Sequence, residues 1–198
     1  MKVVLASANP GKLQELRFAT AGWDWELIPM QDLQIASPEE TGLTFVENAL
    51  LKARHASAES GLPALADDSG LSVAALGGAP GLYSARYAGK EASDVDNVSK
   101  LLGALRDVPS GAARRAEFVC SLAFVRHPED PVPVLGEGYW QGEVTMQPCG
   151  DNGFGYDPVF WVPTAQCTAA QLSAEQKKAI SHRSQAWADF TRRWQCRD

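Results

Sequence analysis

The sequence predicts an α/β protein, and three observations carry that prediction. The chain opens on an apolar, β-branched run, Lys2 to Ala6, which leads through Ser7-Ala8-Asn9-Pro10-Gly11-Lys12 into helical sequence from Leu13 to Thr20. Strand-like and helix-like patterns then alternate along the chain, as they do where helices lie on a sheet. Two helix starts are marked by capping boxes, Thr44 with Glu47 and Ser173 with Gln176.

Taken in order, the first unit is a strand, a glycine loop and a helix, and Pro29 to Glu40 carries no period and reads as irregular. The Thr44 hydroxyl is expected to accept from the Glu47 amide while the Glu47 side chain reaches back, which starts a helix at Phe45. That helix should run to Ser60, end on Gly61 in the left-handed conformation, and bury Val46, Ala49, Leu50 and Ala53. Leu62 to Ala66 reads as a short buried strand that opens into a turn at Asp67-Asp68-Ser69-Gly70. Leu71 to Gly89, dense in Gly, Ala and Tyr, reads as a long ordered connection, and Ser93 caps a helix over Asp94 to Arg106. Glu117 to Val125 has the pattern of a central strand, and Val134 to Thr145 that of another, kinked near Gly136 and Gly138. Cys149 to Asp157 is a glycine-rich loop that feeds Val159 to Val162. Helical sequence from Ser173 then continues to Gln195 with a break at Ser181.

Composition narrows the function classes. A chain of 198 residues is expected to form one domain over 1–198 and to bury roughly two-thirds of its unfolded surface. Charged residues at 21% and hydrophobic ones at 45% are those of a soluble globular enzyme and exclude a disordered chain. The net charge of −6 argues against a nucleic-acid partner, which would need a basic face. Cys120, Cys149, Cys167 and Cys196 form no C-x-x-C pair and have no metal-ligand spacing with His55, His127 or His182, so they read as free thiols in a reducing compartment. Val3 to Ala6 is too short for the apolar part of a signal peptide, and no run approaches ~18 apolar residues. No membrane association and a cytoplasmic location are therefore expected.

Several segments have the residue types of a phosphate or metal site, and each also has a plainer reading. Asp67 and Asp68 are adjacent anions that resist desolvation and call for a shared cation, such as a divalent metal; with Ser69 and Gly70 they also make a good solvated turn. Ser7 to Lys12 offers backbone amides, a helix start and a mobile cation to an anion, although the G-x-x-x-x-G-K-[ST] spacing is absent; it also reads as an ordinary strand-to-helix turn. Lys52, one helical turn after Asn48, reaches a phosphate or simply faces solvent. Glu39-Glu40 favours the following helix start or adds a carboxylate to a metal. Phe154 and Tyr156, set among glycines, suit a flat heterocycle or a strand entry packed into the core. Ser181-His182-Arg183 presents donors at a helix start, or lies on the surface.

Taken together, Ser7 to Lys12, Glu39-Glu40-Thr41-Gly42, Thr44 to Ala49, Asp67-Asp68-Ser69-Gly70-Leu71, Gly78-Ala79-Pro80-Gly81, Tyr83 to Tyr87, Phe154 to Pro158 and Ser181-His182-Arg183 closely resemble the Ham1/inosine triphosphatase family of nucleoside triphosphate pyrophosphatases in its bacterial form. The resemblance runs from Lys2 to about Trp187. It implies a long central mixed β-sheet with flanking helices, two lobes around a deep active-site cleft, and a homodimer. The implied reaction is Mg²⁺-dependent hydrolysis of non-canonical purine nucleoside triphosphates, those of inosine, deoxyinosine and xanthosine, to the monophosphate and pyrophosphate, which cleanses the nucleotide pool. Carried over residue by residue, Ser7, Ala8, Asn9, Pro10, Gly11, Lys12 and Lys52 would hold the triphosphate. Glu39 or Glu40 with Asp68 would hold Mg²⁺, and Asp68 would act as the base. Ser69, Phe154, Gly155, Tyr156, Asp157, Lys177, His182 and Arg183 would bind the nucleoside. Hypoxanthine and xanthine present an O6 acceptor where adenine presents an amino donor, so donors from His182, Arg183 or loop amides would favour the first two. A regulatory nucleotide binder without turnover would have no need of four carboxylates at these positions, and a pyrophosphatase of the Maf type is disfavoured by His182-Arg183 and the Phe154 to Asp157 loop.

Overall fold

The structure of the protein, a computed structural model, describes residues 1–7 and 9–196. The strands are β1 (Lys2–Leu5), β2 (Glu26–Pro29), β3 (Ala64–Val73), β4 (Arg115–Val125), β5 (Val134–Val144), β6 (Phe160–Val162) and β7 (Cys167–Thr168). The helices are α1 (Pro10–Ala19), α2 (Phe45–Ser60), α3 (Asp94–Ala104), α4 (Ala174–Ile180) and α5 (His182–Gln195). The strands form one seven-stranded sheet in the order β2-β1-β3-β4-β5-β6-β7. β1 runs parallel to β2 and β3, with Val3 opposite Leu27 and Leu5 opposite Leu65, whereas β6 is antiparallel to β5 and β7. The sheet is therefore mixed, as expected.

Where helix ends are written in capping residues, structure and sequence agree. Thr44 accepts from the Glu47 amide at 3.2 Å, and Gly61 ends α2 at φ 67°. The Glu47 carboxylate reaches back one residue further than a simple capping box, to the Leu43 amide at 2.7 Å. Ser181, extended at ψ 159°, separates α4 from α5. α1 begins earlier than its apolar pattern suggests, because the Asn9 side chain accepts from the Lys12 amide at 3.1 Å and Pro10 occupies the first turn. β2 and β7 escaped the sequence reading because strands of four and two residues carry almost no period.

β3 is the main departure. It does not turn at Asp67-Asp68-Ser69-Gly70 but continues to Val73, with every residue except Ser69 and Ser72 buried. Turn-forming residue types lose here to tertiary pairing, since a central strand satisfies its amides in the ladder on both sides. β5 likewise runs unbroken through Gly136. A Cβ there would collide with the Ala186 carbonyl and with Phe190 of α5, so the glycine permits close helix-on-strand packing rather than a kink.

Contacts group the chain into two compact units. One comprises Met1–Asp68, Cys120–Gly138 and the described part of Arg183–Asp198, the other Ser69–Val119 and Tyr139–His182. In the first unit the strand period of two sorts the core into layers. Val3, Leu5, Leu65, Cys120, Leu122 and Phe124 pack with Leu16 of α1 and with Ala186 and Phe190 of α5. Val4, Ala64, Ala66, Ala123 and Val125 pack with Ala49, Ala53 and Ala56 of α2. Four part-buried tryptophans, Trp23, Trp25, Trp187 and Trp194, close the α5 side, with the Trp23 and Trp25 centroids 4.6 Å apart. The second unit centres on Leu71, Val98, Leu101, Leu105, Phe118, Val159 and Phe160.

Arg114 is the largest fully buried side chain, and its hydrogen bonds all end on main-chain carbonyls. Nη2 reaches Leu105 at 2.6 Å, Nε reaches Val108 at 3.0 Å and Nη1 reaches Thr145 at 2.9 Å. It thereby binds the carbonyl-rich end of α3, where a cation is favoured, to the segment after β5. Replacing it with methionine removes a donor from all three carbonyls and leaves the part-buried Val108 and Thr145 oxygens without this partner, while Leu105 keeps the Val108 amide at 2.9 Å. Arg114→Met is expected to cost about 2–3 kcal/mol in urea unfolding. A loss below about 1 kcal/mol would show that these carbonyls find water or other donors instead.

Candidate active site

The pleat of β3 dictates the site in the first unit. Successive side chains on a strand point to opposite faces, so Asp67 follows Leu65 toward α1 and α5 while Asp68 follows Ala66 toward α2. On the first face, Lys12 Nζ lies 2.9 Å from Asp67 Oδ2, and Arg183 Nε lies 3.9 Å from the same oxygen. On the second, Lys52 Nζ donates to Asp68 Oδ1 at 2.8 Å and to Glu40 Oε1 at 3.0 Å. The expectation that the two aspartates share one cation is thus corrected: each side chain has its own lysine, because adjacent strand residues face opposite ways.

Charge states follow from these surroundings. Burial alone would raise the Asp67 carboxyl, but Lys12, Arg183 and Lys52 together outweigh it and hold the group below the usual carboxylate range. For Asp68 burial prevails over Lys52, and the carboxyl is pushed up. Burial opposes the charge on Lys52, yet Asp68, Asp67 and Glu40 raise its pKa above the ordinary value. Cys120, on the Asp67 face, is pushed up to about 12 by burial and by that carboxylate, so its thiol is inert; all four cysteines are free.

Local packing puts Glu40 where it is. The Gly42 amide donates to Asn48 Oδ1 at 2.8 Å, and a Cβ on Gly42 would collide with that side chain and with Glu47. The loop thus folds onto the first turn of α2, and Glu40 meets Lys52, one turn beyond Asn48. Glu39 is exposed, so of the two glutamates Glu40 is the one brought to Asp68. Ser7 Oγ accepts from the Asn9 amide at 3.4 Å, and Gln31 Nε2 donates to the Ser7 carbonyl at 2.9 Å. Pro10 and Gly11 open α1, and Ala8 lies outside the described residues. Arg183 Nη1 also pairs with Glu15 at 3.0 Å. The sequence reading missed Gln31, Gly42 and Glu15 as supports, since their roles depend on contacts across separate elements.

The second unit holds the other candidates. Asp157 Oδ2 accepts from Lys177 Nζ at 2.6 Å and from the Phe154 amide at 2.9 Å, while Lys177 Nζ stands 5.0 Å from the Phe154 ring centroid. The Gly155 amide donates to Asp94 at 2.7 Å, so the amides of Phe154 and Gly155 are both occupied by carboxylates. The buried Tyr156 hydroxyl donates to the Ser84 carbonyl at 2.8 Å, and Ser84 Oγ accepts from the Leu71 amide at 2.9 Å. Ser69 is half-buried on β3. His182 is buried with its ring stacked on Phe118, centroids 4.7 Å apart and planes 9° from parallel. Although adjacent in sequence, His182 and Arg183 thus serve different surroundings, the first an aromatic stack, the second a carboxylate pair.

Among the described residues no three histidine, cysteine or acidic side chains converge as a ready-made metal cage. Glu40 and Asp68, gathered on one ammonium, form a two-carboxylate, all-oxygen donor set. That set fits a small hard divalent ion, which takes one or two carboxylates and completes its shell with water and phosphate oxygens.

The Ham1 family model matches residues 3–193. The chain belongs to the Ham1 family. The chain is 57% identical over 185 residues to a protein of Pectobacterium atrosepticum and 54% identical to one of Photorhabdus laumondii, both named dITP/XTP pyrophosphatase, with 93% of each chain covered in both comparisons. Among solved structures, it is similar to a HAM1 protein from Coxiella burnetii (47% identity, 98% of both chains, TM-score 0.91) and to the Staphylococcus aureus Ham1 protein (40% identity, full coverage of both, TM-score 0.86). The α/β fold with its mixed sheet is therefore that of Ham1 proteins.

The two aspartates of this Ham1 chain are expected to differ in what they contribute to stability. Asp67 is stabilising as an anion, so Asp67→Asn leaves Lys12 and Arg183 without their buried counter-charge and should cost about 1–3 kcal/mol at pH 7. Asp68 is held in a charged form that burial disfavours, and Lys52 keeps Glu40 as a partner at 3.0 Å, so Asp68→Asn should cost less than Asp67→Asn in the metal-free protein. Urea unfolding of both variants checks this ranking, and a greater loss for Asp68→Asn would reverse the assignment of the two faces.

Proposed function

We propose that this chain is a nucleoside triphosphate pyrophosphatase that hydrolyses the triphosphates of inosine, deoxyinosine and xanthosine to the monophosphate and pyrophosphate. The observation that supports it most is the pair of oppositely directed aspartates on β3, each matched to a lysine. Membership of the Ham1 family and relatives named dITP/XTP pyrophosphatase support the same substrate class. The regulatory alternative is disfavoured, because a protein that only binds nucleotide has no use for a raised carboxyl beside a second acid.

In this reading Ser7 to Lys12 and Lys52 bind the triphosphate, with the amides and positive end of α1 facing its oxygens. Glu40 and Asp68 would hold Mg²⁺, which would neutralise phosphate charge and polarise the phosphorus. Asp68 accepts a proton from the attacking water as the new oxygen–phosphorus bond forms at the α-phosphorus. The bond from that phosphorus to the bridging oxygen breaks, and pyrophosphate leaves with the electron pair, its charge met by Lys12 and Lys52. Asp67 is not asked to react; it holds Lys12 and Arg183 in place. Ser69, Phe154 to Asp157, Lys177, His182 and Arg183 are assigned to the nucleoside. With two loop amides already engaged, O6 recognition falls to side chains more than to the amides of Phe154 and Gly155. The chain is further proposed to act as one catalytic domain, as a homodimer and in the cytoplasm; among the described residues no helix is long and apolar enough to cross a membrane.

A panel of inosine, deoxyinosine, xanthosine, adenosine and guanosine triphosphates with Mg²⁺, assayed for pyrophosphate, tests the proposal. The first three are expected to turn over fastest, and Asp68→Asn to reduce that turnover at least ~10²-fold; release of orthophosphate instead, or near-parental kcat in the variant, would sink it. Lys12→Ala and Lys52→Ala should each weaken triphosphate binding far more than nucleoside binding, by a factor that shrinks as salt rises. Equal loss for nucleoside and triphosphate would assign both lysines to folding alone.

A further inference from the structure

Two amides of the loop Phe154–Asp157 are each held by a carboxylate, and only one of those carboxylates is a residue that the family resemblance assigns to the substrate. Asp157, pinned by Lys177, takes the Phe154 amide. The next amide, Gly155, is taken by Asp94, which is 61 residues away in the chain and is the first residue of α3. α3 is itself a firm base, because Ser93 and Asp96 close a capping box at its start and Val98 and Leu101 are buried in the core of the same unit. Gly155 has φ +61° and no side chain with which to fix itself, so its orientation depends on what its amide bonds to. Neighbouring Tyr156 is anchored through its hydroxyl to Ser84. The Gly155 amide is thus tied to a separate element by a carboxylate at 2.7 Å, in the range of a charge-assisted bond.

We propose that Asp94 is a positioning residue for nucleoside recognition: its carboxylate holds the Gly155 amide and thereby sets the presentation of Phe154 to the nucleoside. The proposal rests on the reading that this loop binds the nucleoside of the substrate. Asp94 touches no substrate in this role. Its removal frees the Gly155 peptide to rotate, and the loop must be reordered each time a nucleoside binds, which weakens binding without altering the groups that act on phosphorus.

The test compares Asp94→Ala and Asp94→Asn with the parent, all as full-length protein with Mg²⁺. The readouts are kcat and KM for inosine triphosphate and inhibition by tripolyphosphate, which carries the phosphates but no nucleoside. Asp94→Ala is expected to raise KM about tenfold, the loss of one charge-assisted hydrogen bond, while kcat stays within about twofold and tripolyphosphate inhibition is unchanged. Asp94→Asn, whose side-chain oxygen can still accept from Gly155, should recover most of that KM. Parental KM in the alanine variant, an equal fall in kcat and tripolyphosphate affinity, or no recovery in the asparagine variant overturns the role. A parent that does not hydrolyse inosine triphosphate overturns the functional reading itself, which is a different result from an active parent with an indifferent Asp94.

Discussion

A β-strand cannot point two neighbouring side chains the same way, and in this protein that constraint organises the charged centre of the first unit. Asp67 and Asp68 lie in the middle of β3, a central strand, and the pleat sends one carboxylate to the α1 and α5 face and the other to the α2 face. Each would be costly to bury alone, and each is met by a lysine from the helix on its own side. The helices are consequently held to the sheet by buried charge as well as by the alanine and leucine layers around it. This arrangement also separates two duties that a single shared cation would have merged. Asp67 is a settled anion that organises Lys12 and Arg183. Asp68 is instead pushed up, because burial prevails over its lysine.

A supporting layer extends outward from those four residues. Gly42 packs on Asn48 and brings Glu40 to Lys52; Gln31 holds the Ser7 carbonyl; Glu15 takes the second side of Arg183. None of these contacts is strong by itself, and their effect is to restrict where charged side chains can go before a ligand binds. The second unit uses the same device with backbone amides in place of ammonium groups. Asp157 and Asp94 each hold one amide of a glycine-rich loop, and Lys177 closes the arrangement over the Phe154 ring.

Arg114 provides a contrast, for it is buried with carbonyls only. Three main-chain acceptors at the end of α3 and after β5 disperse its charge, and none of them belongs to a residue assigned to chemistry. A buried cation in this protein is therefore not by itself a sign of a site. What distinguishes Lys12 and Lys52 is that their partners are carboxylates whose proton affinity they change.

Local chemistry determined what the sequence could state alone. The capping residues Thr44, Ser93 and Ser173, the terminator Gly61 and the break at Ser181 act within a few residues, so the helix boundaries they govern were readable. The ordered set of motifs was likewise enough to identify the Ham1 family, because it depends on residue identity and not on contact. The tertiary structure decided the rest. Asp-Asp-Ser-Gly is good turn sequence, and only its place between two strands makes it a strand; that in turn sends the aspartates apart. Glu40 rather than Glu39 reaches Asp68 because Gly42 closes on Asn48. His182 and Arg183 part company because one joins an aromatic stack and the other a carboxylate pair. In each case the deciding neighbours come from distant segments, and pairing between segments far apart in the chain leaves no period or spacing in the sequence from which it could be read.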